Sequence, residues 1–379
     1  MALDKVTVGV LADNAVSTAK VADDAVTGAK LENNPTVAGK MTSPSIILAP
    51  SGTAPTSPTE GQFYFNSTFD SILVYHNSKW MFADSRHIAT GGTVSYYNDG
   101  SNDWVIHHFL DTDSKFRILA NTTCDILVVA GGGSAGYGSY CGAGGGGGVR
   151  YWDDTTVAAG THTILVGMGG QIGDSQRGRV GGNSRFGTLT EVIGGGGGGN
   201  YGGGSNVVQY AGGTGGTGGG GGTSSWSGNV AGGAGTTDAD SYVQGYAGGV
   251  GYGNGDNSYG GAGGGAGGTI TDTYNAGVGK QEGATADYGD GSKAIAMDGK
   301  QRFYGGGGGA WVGRNNNAVS VRGKGGGGRG GSVPDDETMQ VRAGDGVNGL
   351  GGGGGGGQMD TQTNAGVGGS GTVMVRYLL

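Results

Sequence analysis

Proline and cysteine are scarce in this chain, which has 6 prolines and 2 cysteines among 379 residues. A collagen-like triple helix is excluded, because it needs abundant proline and a strict Gly-X-Y period that the long glycine runs interrupt. The cysteines, Cys124 and Cys141, are too few for a disulfide scaffold and lack a second pair at zinc-ligand spacing. We therefore expect two free or buried thiols, with a single disulfide as the less favoured alternative.

Positive charge and long apolar runs are also lacking. The formal net charge is −8 and the isoelectric point is near 5.0, so no basic field is available to attract the phosphates of nucleic acid. No run of about eighteen apolar residues occurs, and the segment Met1 to Lys5 does not begin a signal-peptide pattern. We therefore expect no nucleic-acid partner, no export through an obvious signal and no membrane insertion.

Glycine is abundant, with 96 residues concentrated in the last two thirds of the chain. A flexible linker is the alternative to an ordered structure. Tyrosine, tryptophan, valine and short strand-like segments punctuate the runs, however, which favours order. Since glycine has no side chain, ordered runs must be held by backbone hydrogen bonds between closely packed, polyproline-II-like helices. The sequence thus predicts a lattice of such helices in place of a conventional hydrophobic core.

Two strand patterns enclose the glycine-rich body. The run Asp125 to Ala130 is a buried-strand pattern that leads directly into glycines, and Gly371 to Tyr377 ends a glycine run in a β-branched strand. We expect these segments to be the opening and closing strands of one domain. Three shorter strand candidates come before them, at residues 90–94, 104–109 and 115–119.

The first 80 residues have a different organisation. A repeat of about ten residues occurs in Leu11 to Lys20 and again in Val21 to Lys30. A short repeat with few large apolar side chains cannot bury its face alone, so we expect a multi-chain stem or a docking segment. Further on, an aromatic strand, a polar turn around Asn66 to Asp70 and a second strand closed by Trp80 predict a β-hairpin. Two strands are marginally stable alone, which favours trimerisation or docking.

These segments resemble parts of bacteriophage tail fibres. The repeat, with its Asp-(Asn/Asp)-Ala-Val units and terminal Ala-Lys, is similar to repeats near the N-termini of such fibres, and the segment from Pro58 to Trp80 resembles a small β module of phage fibre proteins. The rest resembles the glycine-rich C-terminal domain of tail fibres and adhesins. The resemblance implies receptor binding at the host surface and brings no catalytic residue with it. Its motifs lie at 125–133, 144–151, 161–167, 182–187 and 369–377.

The patterns and the resemblance together predict a mainly β protein with polyglycine-II or polyproline-II-like helices, little α-helix and the elongated form of a multi-module fibre. We expect its C-terminal part to be a glycine-rich sandwich. The predicted regions are an N-terminal repeat stem or virion-attachment region at 1–45, a small β-hairpin module at 46–87, a β linker module at 88–121 and a glycine-rich receptor-binding domain at 122–379.

Large residues between the glycine runs are the candidate receptor-binding residues. Helices without side chains leave recognition to the loops at their ends, where tyrosine gives rigid contacts and Asn, Ser and Gly give adaptable ones. Loop 271–304 adds cations that suit anionic sugars or phosphates. The alternative for any one aromatic residue is that it caps or wedges the glycine helices. The other predicted loops are 223–229, 236–246, 252–259, 310–322 and 332–350. The candidates are Tyr201, Tyr210, Trp226, Tyr242, Tyr246, Tyr252, Tyr259, Tyr274, Lys280, Tyr288, Lys293, Arg302 and Trp311.

No arrangement of residues points to catalysis. Gly-x-Gly-x-x-Gly is expected by chance in a glycine field, and no helix pattern follows it as a dinucleotide fold requires. The adjacent carboxylates Asp335 and Asp336 fit a solvated turn better than a glycosidase pair. His107 and His108 should point to opposite faces of a strand, which disfavours a shared metal. We therefore expect no enzyme activity, no cofactor and no metal.

The sequence thus predicts a phage tail fibre or fibre-tip protein that binds a bacterial surface receptor without catalysis. The expected partners are a surface polysaccharide or outer-membrane protein, and other phage tail proteins held through the N-terminus. We expect a homotrimer in the virion tail fibre, made in the host cytoplasm. The main alternative is a structural spacer or assembly component without direct receptor recognition. A polysaccharide-cleaving enzyme is disfavoured, because no nucleophile or carboxylate pair stands out.

Overall fold

The computed structural model describes most of the chain after residue 46. Contacts divide the chain into the units Met1–Ala49 and Pro50–Leu379, and the description below concerns the second unit. The predicted repeat region at 1–45 lies outside the described residues. The described residues are 47–83, 87–138, 140–173, 177–201, 207–223, 228–253, 258–268, 280–281, 297–298, 300, 302–311, 322–331, 342–357 and 365–379.

The aromatic segment forms a three-stranded antiparallel sheet rather than the predicted two-stranded hairpin. The second predicted strand is divided by a tight turn at Asn77 and Ser78, whose φ angles are 48° and 62°. Positive φ at both central residues is typical of the turn that matches the twist of a hairpin. Tyr64, Leu73 and Phe82 fill the core of this hairpin module. Its strands are β1 (Phe63–Asn66), β2 (Ser71–His76) and β3 (Lys79–Phe82).

The predicted opening and closing strands are neighbours in a five-stranded antiparallel sheet, which confirms that they belong to one domain. The strands of this sheet are β5 (Thr93–Asn98), β6 (Asp103–Phe109), β8 (Thr122–Val129), β9 (Val149–Val157) and β16 (Thr372–Leu378). Their order is β5-β6-β16-β8-β9, with Met374 paired with Leu127 on one side and with His108 on the other.

A four-stranded sheet packs near the first, in the order β11 (Arg185–Phe186), β10 (Gly160–Leu165), β7 (Ser114–Ile118) and β4 (Ala89–Thr90). Its strand β7 comes from the predicted linker module at 88–121 and pairs with β10, which comes from the glycine-rich domain. Residues 88–121 therefore do not form a separate module, because their strands complete sheets whose other strands follow residue 121.

The remaining elements are short. They are α1 (Val207–Tyr210), β12 (Gly228–Val230), β13 (Gly251–Gly253), β14 (Lys280–Gln281) and β15 (Phe303–Tyr304). The prediction of a mainly β fold with little α-helix is thereby confirmed. Across the described part of the chain, no helix has the length and apolar character that crossing a membrane requires.

Strand β8 contributes side chains to two hydrophobic cores, because alternate side chains of a strand point to opposite faces. Ile126 and Val128 face a core that the four-stranded sheet completes with Phe116 and Ile164. On the opposite face, Leu127 packs with residues of the glycine-rich body, among them Ala266 and Tyr304. The first core anchors the two sheets, and the second attaches the glycine runs to the five-stranded sheet.

The glycine runs are held by hydrogen bonds between backbones, and the partner changes with a period of three residues. In the run 142–148, every third N–H donates to the same neighbouring run. The pairs are Gly144 to Gly354 and Gly147 to Gly351, Gly145 to Gly196 and Gly148 to Ile193, and Ala143 to Gly261 and Gly146 to Gly264. One run is therefore bonded to three neighbours at once, as a lattice without side chains requires.

The two adjacent histidines point to opposite faces of β6, as predicted. His107 has no exposed surface, and its Nδ1 is 2.7 Å from the carbonyl oxygen of Gly91. Its ring stacks against Tyr377. His108 lies on the other face, with its Nε2 2.8 Å from the hydroxyl of Thr372. Burial lowers the pKa of His107 to about 4, with a smaller lowering contribution from the nearby His87, so this imidazole folds in its neutral form.

We expect acid to destabilise the protein through His107. The neutral ring is favoured in the fold, so stability is complete above the unfolded pKa near 6.5 and falls as the pH drops toward 4. Between pH 7 and pH 5 this group should cost about 2 kcal/mol. Chemical denaturation at the two pH values measures the loss. The stability lost between pH 7 and pH 5 should be smaller in His107→Asn, which keeps a donor toward Gly91. The control is His76→Asn at an exposed position, which should lose as much stability as the wild type. Equal losses in wild type and His107→Asn would contradict the assignment.

Candidate functional site

One end of the glycine runs is organised around a turn that contains Cys141. The run 131–136 enters this turn and the run 142–148 leaves it, and the N–H of Gly136 donates to the Gly142 carbonyl across its base. Tyr140 sits at the corner with φ 54°, in the left-handed region. The turn reverses the chain, so the first run leads away from the five-stranded sheet and the second returns to it.

Other runs end beside this turn. Gly142 donates to the carbonyl of Gly199, and Gly199 donates in turn to Gly220, each at 2.8 Å. The N–H of Gly357 donates to Cys141 Sγ at 3.1 Å. Above them, the ring of Tyr140 lies 5.5 Å from that of Tyr201. We call this region the Cys141 end and define it by Tyr140, Cys141, Tyr201, Tyr210, Trp311 and Gly357.

The described residues on both sides of four sequence segments lie at this end, and the segments themselves, 202–206, 254–257, 332–341 and 358–364, are outside the described residues. A backbone hydrogen bond joins the two described sides at the base of each one. The bonds run from Asn200 to Gln209 (2.9 Å), between Tyr252 and Tyr259 (2.9 Å in both directions), from Gly344 to Arg329 (2.7 Å) and from Gly366 to Gly355 (2.9 Å). The glycine lattice therefore fixes both ends of four separate segments at one place.

Three of the predicted site residues are well placed at the Cys141 end. Tyr201 is 37% exposed there. Tyr252 and Tyr259 are half-buried, and their rings stack with centroids 5.4 Å apart. These side chains present aromatic surface beside the segments described above.

Tyr210 and Trp311 also lie at this end, but they are buried rather than available to a receptor. Their exposed fractions are 6% and 2%. The Trp311 ring packs edge-on against Tyr140 at 4.4 Å. Their roles as receptor-contacting residues are therefore corrected to packing roles: glycine backbones leave gaps where runs end, and large rings fill them. The capping alternative considered from the sequence describes both residues.

Tyr242, Tyr246 and Arg302 lie near the sheets instead. The ring of Tyr242 stacks near the guanidinium of Arg150, 5.1 Å from its carbon, and Arg302 pairs with Asp298 at 2.6 Å. The N–H of Tyr246 donates to Gly265 in a run that continues to the second core. The structure therefore does not bring these candidates together with Tyr201.

The described residues of the predicted loop 271–304 also lie away from the Cys141 end. Strand β14 pairs Lys280 with Tyr304, and Tyr304 is buried against the five-stranded sheet. Arg302, the predicted site cation of this loop whose side chain is described, therefore lies in a different part of the structure from the stacked tyrosines. The side chain of Lys280 and the candidates Trp226, Tyr274, Tyr288 and Lys293 lie outside the described residues.

Buried charges fix the predicted loop 236–246 to the sheet. Arg150 is ion-paired with Asp238 and, at 2.7 Å, with Asp240. The guanidinium also lies 4.6 Å from the ring centre of Trp152. A hydrogen bond from Arg150 and its positive charge lower the pKa of the Asp240 carboxyl. This loop is thus part of the scaffold, because its acidic residues neutralise an arginine that is buried in the fold.

The structure adds polar and aromatic groups that the sequence reasoning missed. Tyr140 lies between Tyr201 and Trp311. In the sequence it is an isolated tyrosine close to glycines, which is the pattern by which the later candidates were chosen. Within the described residues, the buried Trp311 Nε1 and Thr223 Oγ1 lack a hydrogen-bond partner. Unsatisfied buried groups are uncommon in folded proteins. These two atoms are therefore hydrogen-bonding groups at the Cys141 end that could accept a further partner.

Both cysteines are free and buried, which confirms the expectation drawn from their number and spacing. Burial raises the pKa of the Cys141 thiol to about 11 and that of Cys124 to about 12. Thiols at these pKa values are protonated at neutral pH and poor nucleophiles. Cys141 therefore acts as a packed acceptor for the Gly357 N–H at the turn.

These features define a class of protein: a mainly β fold in which two small sheets anchor a body of hydrogen-bonded glycine runs. The family model for the glycine-rich domain matches residues 111–378, and the chain belongs to that family. The match begins before the first glycine run, at the turn leading into β7, and thus includes β7 to β11 and β16 of the two sheets, while β4, β5 and β6 precede it. Comparison with curated proteins gave no match.

Proposed function

We propose that this protein is a phage tail fibre or fibre-tip protein that binds a receptor on the bacterial surface without catalysis. The observation that carries the proposal is the Cys141 end. There, both ends of four sequence segments are held on one lattice, next to the exposed ring of Tyr201 and the stacked rings of Tyr252 and Tyr259. Binding residues are commonly carried by loops on a rigid scaffold, and tyrosine gives such loops rigid contact area.

The glycine runs are, in this proposal, polyglycine-II-like helices within a glycine-rich sandwich. Such helices have three residues per turn, and the period of three in the hydrogen-bond partners of residues 143–148 supports the assignment. At a rise of about 3.1 Å per residue, the run Gly351 to Gly357 would span roughly 22 Å. A run of this length would hold the Cys141 end away from the five-stranded sheet. The recognition segments would then lie at the tip of the domain.

The remaining features of the proposal rest on the resemblance to tail fibres. The receptor would be a surface polysaccharide or an outer-membrane protein, and the N-terminal repeats would hold the chain to other tail proteins of the virion. A homotrimeric, elongated fibre would present several recognition ends together, so weak individual contacts would be multiplied by multivalency.

A structural spacer is the second candidate function, and the burial of Tyr210 and Trp311 favours it. If most large residues between the glycine runs only pack the lattice, the domain could assemble the appendage while another protein recognises the host. The two candidates differ in whether the Cys141 end contacts the bacterial surface.

Competition with virion adsorption distinguishes them. The purified full chain should block adsorption of the phage that carries it, because it occupies the same receptor. Replacement of 332–341 by a glycine-serine segment of equal length should raise the concentration needed for half-blocking at least about tenfold. The matched control replaces the exposed turn 99–102 between β5 and β6 and should block like wild type. Equal blocking by both folded variants, or no blocking by wild type, would favour the spacer.

A further inference from the structure

A cavity lies between the hairpin module and strands β6, β16, β8 and β9 of the five-stranded sheet. Its volume is about 540 Å³, within the range of roughly 300–1,000 Å³ that is typical of small-molecule sites. The cavity does not involve the Cys141 end, since its lining comes from strands β2, β3, β6, β8, β9 and β16 and the loops beside them. The lining residues that the argument uses are Tyr75, Trp80, Trp104, Asn121, Asp125 and Asp154.

Aromatic rings form one part of the lining. Tyr75 and Trp80 belong to adjacent strands of the hairpin module, their ring centres are 5.3 Å apart, and both side chains are half-buried. Trp104 contributes a third half-buried ring from β6. Its orientation is fixed by the Arg376 guanidinium, 4.3 Å from the ring centre, and by an indole N–H bond to Asp99 at 2.8 Å. Three such rings offer flat apolar surface that is held in place before a ligand arrives.

Hydrogen-bonding groups form the other part. Asp125 is 4% exposed, and its Oδ2 accepts from the Arg376 Nε at 2.8 Å, while its Oδ1 accepts from the backbone N–H of Asp154 at 3.1 Å. The Asp154 carboxylate is exposed, and its backbone is in the left-handed region with φ 46°. Asn121 holds Ala159 through its Oδ1 and lies on the same wall. The wall is thus rich in acceptors and held by its own hydrogen bonds.

The carboxylates of this wall do not form a favourable cation site. Ligand atoms of Asp125, Asp153 and Asp154 lie within 4.8 Å of one another. Both oxygens of Asp125 are already engaged, however, and the positive charge of Arg376 is next to them. A cation would have to displace or oppose that arginine, which costs electrostatic energy.

We propose that the cavity binds a neutral saccharide. A pyranose has flat faces of C–H groups that pack on aromatic rings and a rim of hydroxyl groups that donate to carboxylate and amide oxygens. The cavity combines the two kinds of surface, with Tyr75, Trp80 and Trp104 against the exposed polar side chains of Asp154 and Asn121. Acidic sugars fit less well, because the exposed Asp154 carboxylate offsets the one lysine in the lining, Lys79, and leaves no net positive charge to compensate for burying a sugar carboxylate. This inference concerns a different place from the Cys141 end and does not depend on the proposed function.

Titration of the full chain with methyl glycosides tests the proposal. Intrinsic tryptophan fluorescence is followed with a neutral hexose, an N-acetylhexosamine and a uronic acid, each as its methyl glycoside. A saturable change is expected with at least one neutral glycoside, with a Kd of about 1 mM, and a much weaker change is expected with the uronic acid. No saturable change with either neutral glycoside would overturn the proposal.

Two variants locate the binding, with a matched control. Asp154→Asn keeps the size of the side chain and suits a positive φ, and it should weaken binding about tenfold through the lost acceptor charge. Tyr75→Ala should abolish binding. The control is Asp153→Asn at the adjacent position, which does not line the cavity and should bind like wild type. Equal effects of Asp154→Asn and Asp153→Asn would overturn the proposal.

The other occupant to test is a second copy of the chain. Light scattering of the wild type and of Tyr75→Ala gives the mass of each in solution. The same mass for both proteins supports the proposal. A lower mass for Tyr75→Ala than for the wild type would overturn the saccharide proposal and would mean that the cavity is a contact between copies of the chain.

Discussion

Alanine at position 144 is expected to destabilise the protein by at least about 3 kcal/mol. An added Cβ would lie 2.0 Å from the carbonyl oxygen of Gly133 and 2.6 Å from its carbon. These are backbone atoms of a neighbouring run, so no side-chain rotation can relieve the contact. The runs would have to separate, and the bonds from Gly144 to Gly354 and from Gly308 to Gly144 would weaken. Chemical denaturation of the full chain measures the effect.

Two controls separate this clash from the general cost of replacing glycine. Gly52 has ordinary backbone angles, is exposed, and its added Cβ would meet only side-chain hydroxyl oxygens at 3.4 Å or more. Gly52→Ala should therefore change stability by less than about 0.5 kcal/mol. Ala143→Gly, in the same run as Gly144, removes a buried methyl group and should cost about 1 kcal/mol. A Gly144→Ala variant as stable as Gly52→Ala would show that the runs are not packed as closely as described.

The strands that enclose the body were predictable because their signal is local. Asp125 to Ala130 and Gly371 to Tyr377 alternate or run apolar over strand-like lengths, and the two pair through β8 and β16. The division of the hairpin module into three strands was missed because the turn at Asn77 and Ser78 uses no glycine. Positive φ is less common at asparagine and serine than at glycine, so the turn left a weaker mark on the sequence.

The partners of the glycine runs could not be predicted, because identical residues carry no pairing information. Gly144 could donate to any carbonyl of any run, and its choice of Gly354 follows from where the strands and turns place both runs. The same reason explains the candidate site. Tyr201 and Tyr242 were both predicted as receptor-binding residues, yet Tyr201 is 37% exposed at the Cys141 end and Tyr242 packs against Arg150 near the sheet.

Loss of either partner of the Arg376 and Asp125 pair is expected to cost about 3–5 kcal/mol. Arg376 is 1% exposed and Asp125 is 4% exposed, and two guanidinium nitrogens of Arg376 lie 2.8 Å from Asp125 Oδ2. The pair joins the neighbouring strands β16 and β8 in the centre of the five-stranded sheet. Arg376→Met leaves a buried carboxylate without its cation, and Asp125→Leu leaves a buried guanidinium without its anion.

The double variant tests whether the energy lies in the pairing rather than in the two side chains. Arg376→Met with Asp125→Leu removes both charges and replaces them with apolar groups of similar size, so part of the stability lost in each single variant should return. The recovery will be incomplete, because the Asp154 N–H loses its acceptor and the Trp104 ring loses the guanidinium that covers it. A coupling free energy of at least about 1 kcal/mol is expected from the four denaturation curves. Additive losses would mean that the two charges are stabilised independently of each other. The register of β16 on β8 would then depend on the neighbouring apolar pairs, such as Met374 with Leu127.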